Sequence, residues 1–527
     1  MSRLIFMGEV EGACRPGPIS REMERKMMKL SNLFQIFSKT RDAGQGPRKV
    51  GKTISTAAVQ AVFQDCCDFV CRPVTTGGGE KATLVFLDGM VSGAAVAEQV
   101  LRPLTNEARF AEVKNGKKTV EHMLSGSVYG PSIYRRDDLN DVLTDLLNGW
   151  CAVIFDSCAT AVTLEVKSEN KRGIDAPKEE KVVKGAKDAF IEDVRTNTSL
   201  VRRKLRNHDL KIRAVTLGTE SGTQVNVVYI HGLTNETLVA EVLRRLGCVY
   251  VDGVLAPADL EEALVDNPAT PFPQMIHTER PDKFAFNILE GRVGLLVDGL
   301  PFGYLVPGTF SQFMKAPEDL GDHFLVASVL TVLRYVGMLL TLFLPGFFIA
   351  MAMYHQEMIP IKLLQSMIDA KQAVPFSMAV EVIGMLLAFE LLQEAGLRLP
   401  SPVGDTVSII GALIVGQSAV EAKVVSPVVV IVIATAGIAG YTMPNQDMGA
   451  ALRICRFLLA LAALIAGVFG LMLGVVLLLY HLCALESYGV PYMTPFAASK
   501  RGLFQALARP PVSKKSRREP ALKTGRR

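Results

Sequence analysis

Phosphate binding is the first chemistry the sequence could offer. Gly46–Thr53 reads GPRKVGKT and satisfies the pattern G-x-x-x-x-G-K-T. That pattern works when a buried strand enters the loop and a helix leaves it, so that backbone N–H groups and the lysine surround phosphate. Ser38–Gln45 (SKTRDAGQ), just before it, is polar and basic, and no strand can be read there. A membrane P-loop ATPase therefore stands only as an alternative function. Asp88, Asp156 and Asp298 each close an apolar run, where a magnesium-binding acid could sit, but Asp is also common at the turns that end strands. Thr75–Lys81 (TTGGGEK) lacks phosphate-loop spacing and reads as a hairpin turn. The seven histidines form no H-E-x-x-H pair, and no serine sits in a nucleophile elbow. Cys66, Cys67 and Cys71 lack the second half of a zinc site, and the nine cysteines are expected to be reduced thiols. The chain is expected not to be an enzyme, and no metal or cofactor is assigned.

The other chemistry is charge in apolar surroundings. Met378–Leu397 is apolar but carries Glu381, Glu390 and Glu394, and Val403–Val420 carries Asp405 and Gln417. An ionised group at the centre of a bilayer costs about 2.5–3.5 kcal/mol on insertion scales. Glu381 and Glu390 should therefore face other helices or water rather than lipid. In the second segment Gly404, Ser408, Ala412 and Gly416 recur every four residues, a small-residue stripe that lets helices approach closely. Its opposite side presents Val403, Val407, Ile410, Ile414 and Gln417, which could line a pore in an oligomer and gate it by dewetting.

These segments belong to a C-terminal cluster of apolar runs. Phe324–Met353 has Arg334 as its one formal charge and Pro345 as an expected kink; Cys455–Tyr480 has only Arg456; Val424–Met443 is a third candidate. Each can cross a hydrocarbon core that needs about 20 helical residues. With the two weaker segments this gives four to five hydrophobic helices over residues 321–483, an all-α multi-pass membrane domain. The Lys/Arg-rich end, residues 484–527, places the C-terminus in the cytoplasm. No export signal is read at the start, so the N-terminus is expected there too. Both ends inside require an even number of crossings, and Val403–Val420 is the expected re-entrant or broken segment. The net charge of +5 is modest for 527 residues and suggests no nucleic-acid partner.

The charged N-terminal part contains a duplication. Leu84–Gly89 (LVFLDG) and Val227–Gly232 (VVYIHG) are apolar strands ending in Gly. Val-Ala-Glu follows each, at Val96–Glu98 and Val239–Glu241. Gly149 begins GWCAVIFD and Gly291 begins GRVGLLVD; second strands follow at Ala161–Val166 and Phe302–Val306. Helices are expected upstream at Lys52–Gln64 and Arg195–Asn207, so the offset of about 143 residues sets Lys52 against Arg195. An ordered series at one offset marks an internal repeat. Each unit reads helix, two strands, helix, hairpin. The expected organisation is a basic, partly disordered segment 1–50, an α+β soluble region made of two repeated α/β subdomains (51–166 and 188–320), a solvated linker 167–187, and the membrane domain. Ile191–Asn207 reads as a basic amphipathic helix whose cations could meet lipid head groups or a partner.

These residues resemble one family, the spore germination proteins of the GerA type, specifically the A subunits of germinant receptors. The resemblance rests on FIEDVRTNTSLVRRKLRN (Phe190–Asn207), TERPDKFAFNILEGRVGLLVDGLPF (Thr278–Phe302), VPGTFSQFMKAPEDL (Val306–Leu320), PVGDTVSIIGALIVGQSAVEAKVVSP (Pro402–Pro427) and SYGVPYMTPFA (Ser487–Ala497). Val183–Ala186 departs from the Arg-Gly-Pro-type approach usual in the family. The resemblance implies the inner membrane of a dormant spore, a transporter-like B subunit and a lipoprotein C subunit as partners, and a homo-oligomeric, nutrient-gated ion channel. It also admits a paralogue, the GerA-like accessory protein of the dipicolinate release system.

Overall fold

A computed structural model describes residues 50–51, 53–106, 110, 113, 115–130, 132–167, 177, 180, 182–398, 416–496, 500–509 and 518–525. Most of Gly46–Thr53 lies outside these residues, and so do Val403, Gly404, Val407, Ser408, Ile410, Ala412 and Ile414. Everything below concerns the compact unit that begins at Gly51.

Two five-stranded sheets fill the N-terminal part. In the first, β1 (Phe69–Thr75), β2 (Lys81–Leu87), β3 (Ile133–Arg136), β4 (Trp150–Phe155) and β5 (Thr160–Glu165) lie in the order β1-β2-β4-β5-β3. In the second, β6 (Leu210–Leu217), β7 (Thr223–Ile230), β8 (Ile276–Thr278), β9 (Val293–Val297) and β10 (Gly303–Val306) repeat that order as β6-β7-β9-β10-β8. Every named pairing is antiparallel, and even the register repeats: Val85 faces Ala152 as Val228 faces Gly294. Thr75 pairs with Lys81, so the glycine run between them is the hairpin turn that its spacing suggests. The edge strands β3 and β8 were absent from the expected pattern. At four and three residues they are too short to show an alternation.

Helices cover the sheets. α1 (Thr56–Val62) precedes β1, and α2 (Leu139–Leu147) precedes β4. α3 (Val194–Lys204) precedes β6, α4 (Glu236–Cys248) and α5 (Pro257–Leu264) follow β7, and α6 (Pro281–Glu290) leads into β9. α3 starts where the Asp193 carboxylate accepts from the Arg195 and Thr196 amides, and its last turn carries Arg202, Arg203 and Lys204, which complement the helix dipole. α6 begins with Pro281 and ends on Gly291 at φ +101°, the left-handed cap that Gly reaches without a Cβ penalty. The capped starts set Thr56 against Val194. The offset that aligns the strands, which would set Lys52 against Arg195, fails at the helices because α1 is the shorter.

A helical region follows, comprising α7 (Phe324–Tyr354), α8 (Ile361–Lys371), α9 (Met378–Arg398), α10 (Pro427–Gly440) and α11 (Gln446–Ala484). Among the described residues α7 and α11 are long and apolar enough to cross a membrane, and α10 is a shorter apolar helix. Pro345 lies inside α7, which stays one element through it. Ile465, Phe469, Leu458 and Val476 stand more than half exposed on α11, an apolar surface suited to lipid.

The run Cys455–Tyr480 is not the single straight crossing that its composition suggests. Ala466 and Gly467 leave helical geometry, and Gly467 sits at φ +59°, ψ −139°, a region open essentially to glycine alone. A Cβ on Gly474 would lie 2.6 Å from Leu459 Cδ2, and one on Gly470 would strike the Ala462 carbonyl. In a continuous helix residues 459 and 474 would be about 22 Å apart. The chain therefore reverses at residues 466–467, and small residues on both arms let them touch. The Tyr354 hydroxyl, at the end of α7, donates to Leu464 O at 2.6 Å, satisfying a carbonyl freed by the break.

Candidate functional site

The polar interior of the helical region and its joint with the second sheet form the candidate site. Glu381, near the start of α9, is 3% exposed. Its carboxylate accepts from the Lys371 ammonium of α8 and, at 2.8 Å, from the Ser426 N–H at the start of α10. An anion at a helix N-terminus is favoured by the helix dipole. Glu390, three turns along α9, accepts from Arg456 Nη2 at 3.0 Å and lies 3.1 Å from Arg453 Nε in an ion pair, both arginines being on the first arm of α11. Arg456 is 2% exposed, and Arg453 also donates to Gln393 Oε1 at 3.2 Å. Removing one partner of such a pair leaves an uncompensated buried charge, which costs several kcal/mol.

Both glutamates thus have cationic partners within a single chain. The sequence shows the acids but hides their partners, because Lys371, Arg453 and Arg456 reach them across helices. Arg456, the lone charge of its apolar run, was the available signal. On the segment expected to pack and line a pore, Gly416 and Gln417 are described. Gly416 is buried, with a Cβ position 3.4 Å from Val430 Cγ1, and Gln417 is exposed and donates to Glu421 at 2.9 Å.

Several contacts join this interior to the second sheet unit. Arg334 of α7 grips Asp319 with two bonds of 2.6 and 2.9 Å. Asp447, at the first foot of α11, lies 3.1 Å from His277 Nδ1 on β8. His481, at the second foot, lies 2.8 Å from Thr270 Oγ1. Beyond α11, Tyr492 packs against Phe310, and its carbonyl accepts from the Phe310 amide at 2.9 Å. Glu261 of α5 faces His277 and Asp447. Burial pushes its carboxyl up to about 7, assisted by Asp447 and opposed by His277. Burial alone would lower His277, but the hydrogen bond and charge of Asp447 outweigh it and raise the imidazole above its ordinary value.

The two sheets meet through charge. Arg202, 1% exposed, donates to both Asp68 oxygens at 2.7 and 2.9 Å; Lys211 reaches Val62 O and Gln64 O; Arg195 pairs with Asp88. Of the α3 cations expected to meet lipid or a partner, Arg195 and Arg202 are turned on the first sheet unit, and Lys204 pairs with Asp188 of its own unit. Asp88 therefore has an arginine as partner. Asp156 accepts from the Thr56 amide at 2.7 Å and Asp298 from the Val194 amide at 3.1 Å, so the duplicated acids hold the starts of α1 and α3. Between the units lies a cleft of about 710 Å3, lined by Lys167, Arg195, Arg203, Glu165 and Asp193 among others, a size that suits a small polar molecule.

Known proteins give this architecture a context. The family model described as "Bacillus/Clostridium GerA spore germination protein" matches residues 57–521. Spore germination protein KA of Bacillus subtilis (strain 168) is 34% identical over 447 residues, 84% of this chain and 81% of its own. The uncharacterized membrane protein YfkQ of the same organism is 32% identical over 475 residues, 90% of this chain and 92% of its own. The crystal structure of the N-terminal domain of the A subunit of the Bacillus megaterium spore germinant receptor GerK3 aligns at 26% identity over 50% of this chain and 99% of that one, with a TM-score of 0.39.

Proposed function

The chain belongs to the Bacillus/Clostridium GerA spore germination protein family, and on that premise we propose that it is a membrane subunit of a spore germinant receptor that oligomerises into a nutrient-gated ion channel. The observation that carries this reading is the charged interior of the helical region, Glu390 with Arg453 and Arg456 and Glu381 with Lys371, tied to the second sheet unit through Arg334 of α7 and at both feet of α11. Such ties allow a change in the sheet units to reach helices that hold polar groups at membrane depth. The partners are a transporter-like B subunit, a lipoprotein C subunit, further copies of the chain and membrane lipid. The location is the inner membrane of the spore, as a multi-pass protein with both termini cytoplasmic. Val403, Val407, Ile410, Ile414 and Gln417 are the proposed lining, and Gly404, Ser408, Ala412 and Gly416 the proposed packing stripe. A role as accessory protein of the dipicolinate release system is the second reading. Neighbouring genes for B and C subunits favour the receptor, and a release-channel operon favours the accessory protein.

Ion release from spores is the test. Ile414→Ser wets the proposed constriction, and such spores should lose monovalent cations without nutrient. Wild-type ion retention and wild-type nutrient response in that variant would remove Ile414 from the lining.

A further inference from the structure

Arg292, just beyond α6, is 0% exposed and holds a carboxylate from the far end of the chain. Its Nη2 donates to Glu519 at 2.9 Å, Nη1 to Asn287 Oδ1 at 3.1 Å and Glu290 at 2.8 Å, and Nε to Pro307 O at 3.1 Å. Around that pair the segment Arg518–Gly525 lies in a groove of the second sheet unit. Arg518 Nε donates to Leu289 O and the Gly525 amide to Leu233 O, each at 2.9 Å. Leu522 is 2% exposed. The Thr524 methyl occupies the space a Cβ on Gly291 would need, so this wall requires glycine for space as well as for its φ of +101°.

The groove has a counterpart. Gly232 and Gly291, on two of its walls, correspond in the repeat to Gly89 and Gly149 of the first unit. Beside Gly89 lies α3 of the second unit, with Arg195 O 3.1 Å from the Cβ position and Arg195 paired to Asp88. The first unit's end is thus covered by the next unit of the same chain. The second unit has no successor in the repeat, and eight residues from beyond the helical region cover its end, as terminal caps do in repeat proteins.

We infer that the Arg292 groove is a peptide-recognition site, specific for a short segment of the type Glu-Pro-x-Leu, with the chain's own Arg518–Gly525 as its resident ligand. Arg292 reads the glutamate, a buried site takes the leucine, and bonds to the Leu289 and Leu233 carbonyls at the two ends fix direction. An arginine that is fully buried when the segment is docked, and held by the Asn287 and Glu290 side chains and the Pro307 carbonyl, is a preformed receptor for a carboxylate. The segment adds one ion pair, one buried leucine and hydrogen bonds to the Leu289 and Leu233 carbonyls, few enough contacts for it to exchange with a peptide added from outside.

Full-length protein in detergent, with a protease site inserted between Lys514 and Lys515, provides the test. After cleavage, a fluorescent peptide covering residues 518–527 should bind, and unlabelled peptide should displace it. The peptide carrying Glu519→Gln should bind at least tenfold more weakly, and one carrying Leu522→Ser should also lose affinity. The cleaved protein should melt at a lower temperature once its own segment is washed away, and the wild-type peptide should restore it. No uptake of peptide by cleaved protein, or equal binding of the Glu519→Gln peptide, would overturn the assignment.

Discussion

The first sheet unit meets its neighbour through long cations, whereas the second meets its own through histidines, aromatic rings and an arginine pair. On the first side Arg202, Lys211 and Arg195 cross to Asp68, to main-chain carbonyls and to Asp88. On the second, His277, His481, Phe310 and Tyr492 meet the helical region beside the pair of Arg334 and Asp319. The sheets themselves are the same in order and register. Duplication has kept the interior hydrogen bonding and the aspartate that starts each first helix, while the outward faces have diverged. One interface is built to stay shut. The other contains Glu261 and His277, both raised above their ordinary values, so its strength depends on pH.

Asp68→Ala breaks that comparison hardest. It strands the buried Arg202, and loss of one partner of a buried pair costs about 3–5 kcal/mol. Denaturant titration of the detergent-solubilised protein should show the loss, and replacing both partners with apolar residues of similar size should recover most of it. An effect below about 1 kcal/mol for the single variant would mean that water reaches the pair. A smaller, sharper comparison uses the duplicated acids. Asp156→Ala and Asp298→Ala each remove the acceptor at a helix start and should each cost about 0.5–2 kcal/mol. Unequal losses, read from melting curves, would show that the repeat has specialised even there.

The smallest effect is a pH dependence at the second interface. Glu261 and His277 both have folded values raised above their ordinary ones. A raised value means that the folded state holds its proton longer, so the stability involved is present at low pH and lost as pH rises. For Glu261 the loss runs from its ordinary carboxylate range up to about 7, and for His277 it follows above the ordinary imidazole value. The melting temperature should therefore fall between pH 5 and 8, and Glu261→Gln should flatten the lower part of that fall. A stability that rises with pH over this range would contradict the geometry of the joint.

Much of the sheet architecture could be read from four glycines. Gly89, Gly149, Gly232 and Gly291 all take positive φ, which is why they stand at fixed places in both repeats. Apolar runs before or after them gave the three central strands of each sheet. The edge strands Ile133–Arg136 and Ile276–Thr278 carried no pattern of their own and are recruited by β5 and β10. At the site, Glu381 and Glu390 were legible because an acid in an apolar run must find shelter. Their partners were not, since Lys371 and Arg456 become neighbours only after helices pack. Ala466–Gly467 was invisible for a different reason: two small residues in a Leu- and Ala-rich run suit an uninterrupted membrane helix as well as a reversal.

That reversal makes α11 a lever. Both of its feet, at Asp447 and His481, rest on the second sheet unit, and its tip lies about 30 Å from the first foot and about 20 Å from the second. A rocking of the feet by about 10° would carry the tip through about 5 Å, roughly the spacing of one helical turn. Tyr354, clasping the tip from α7, is the point against which such a movement would push.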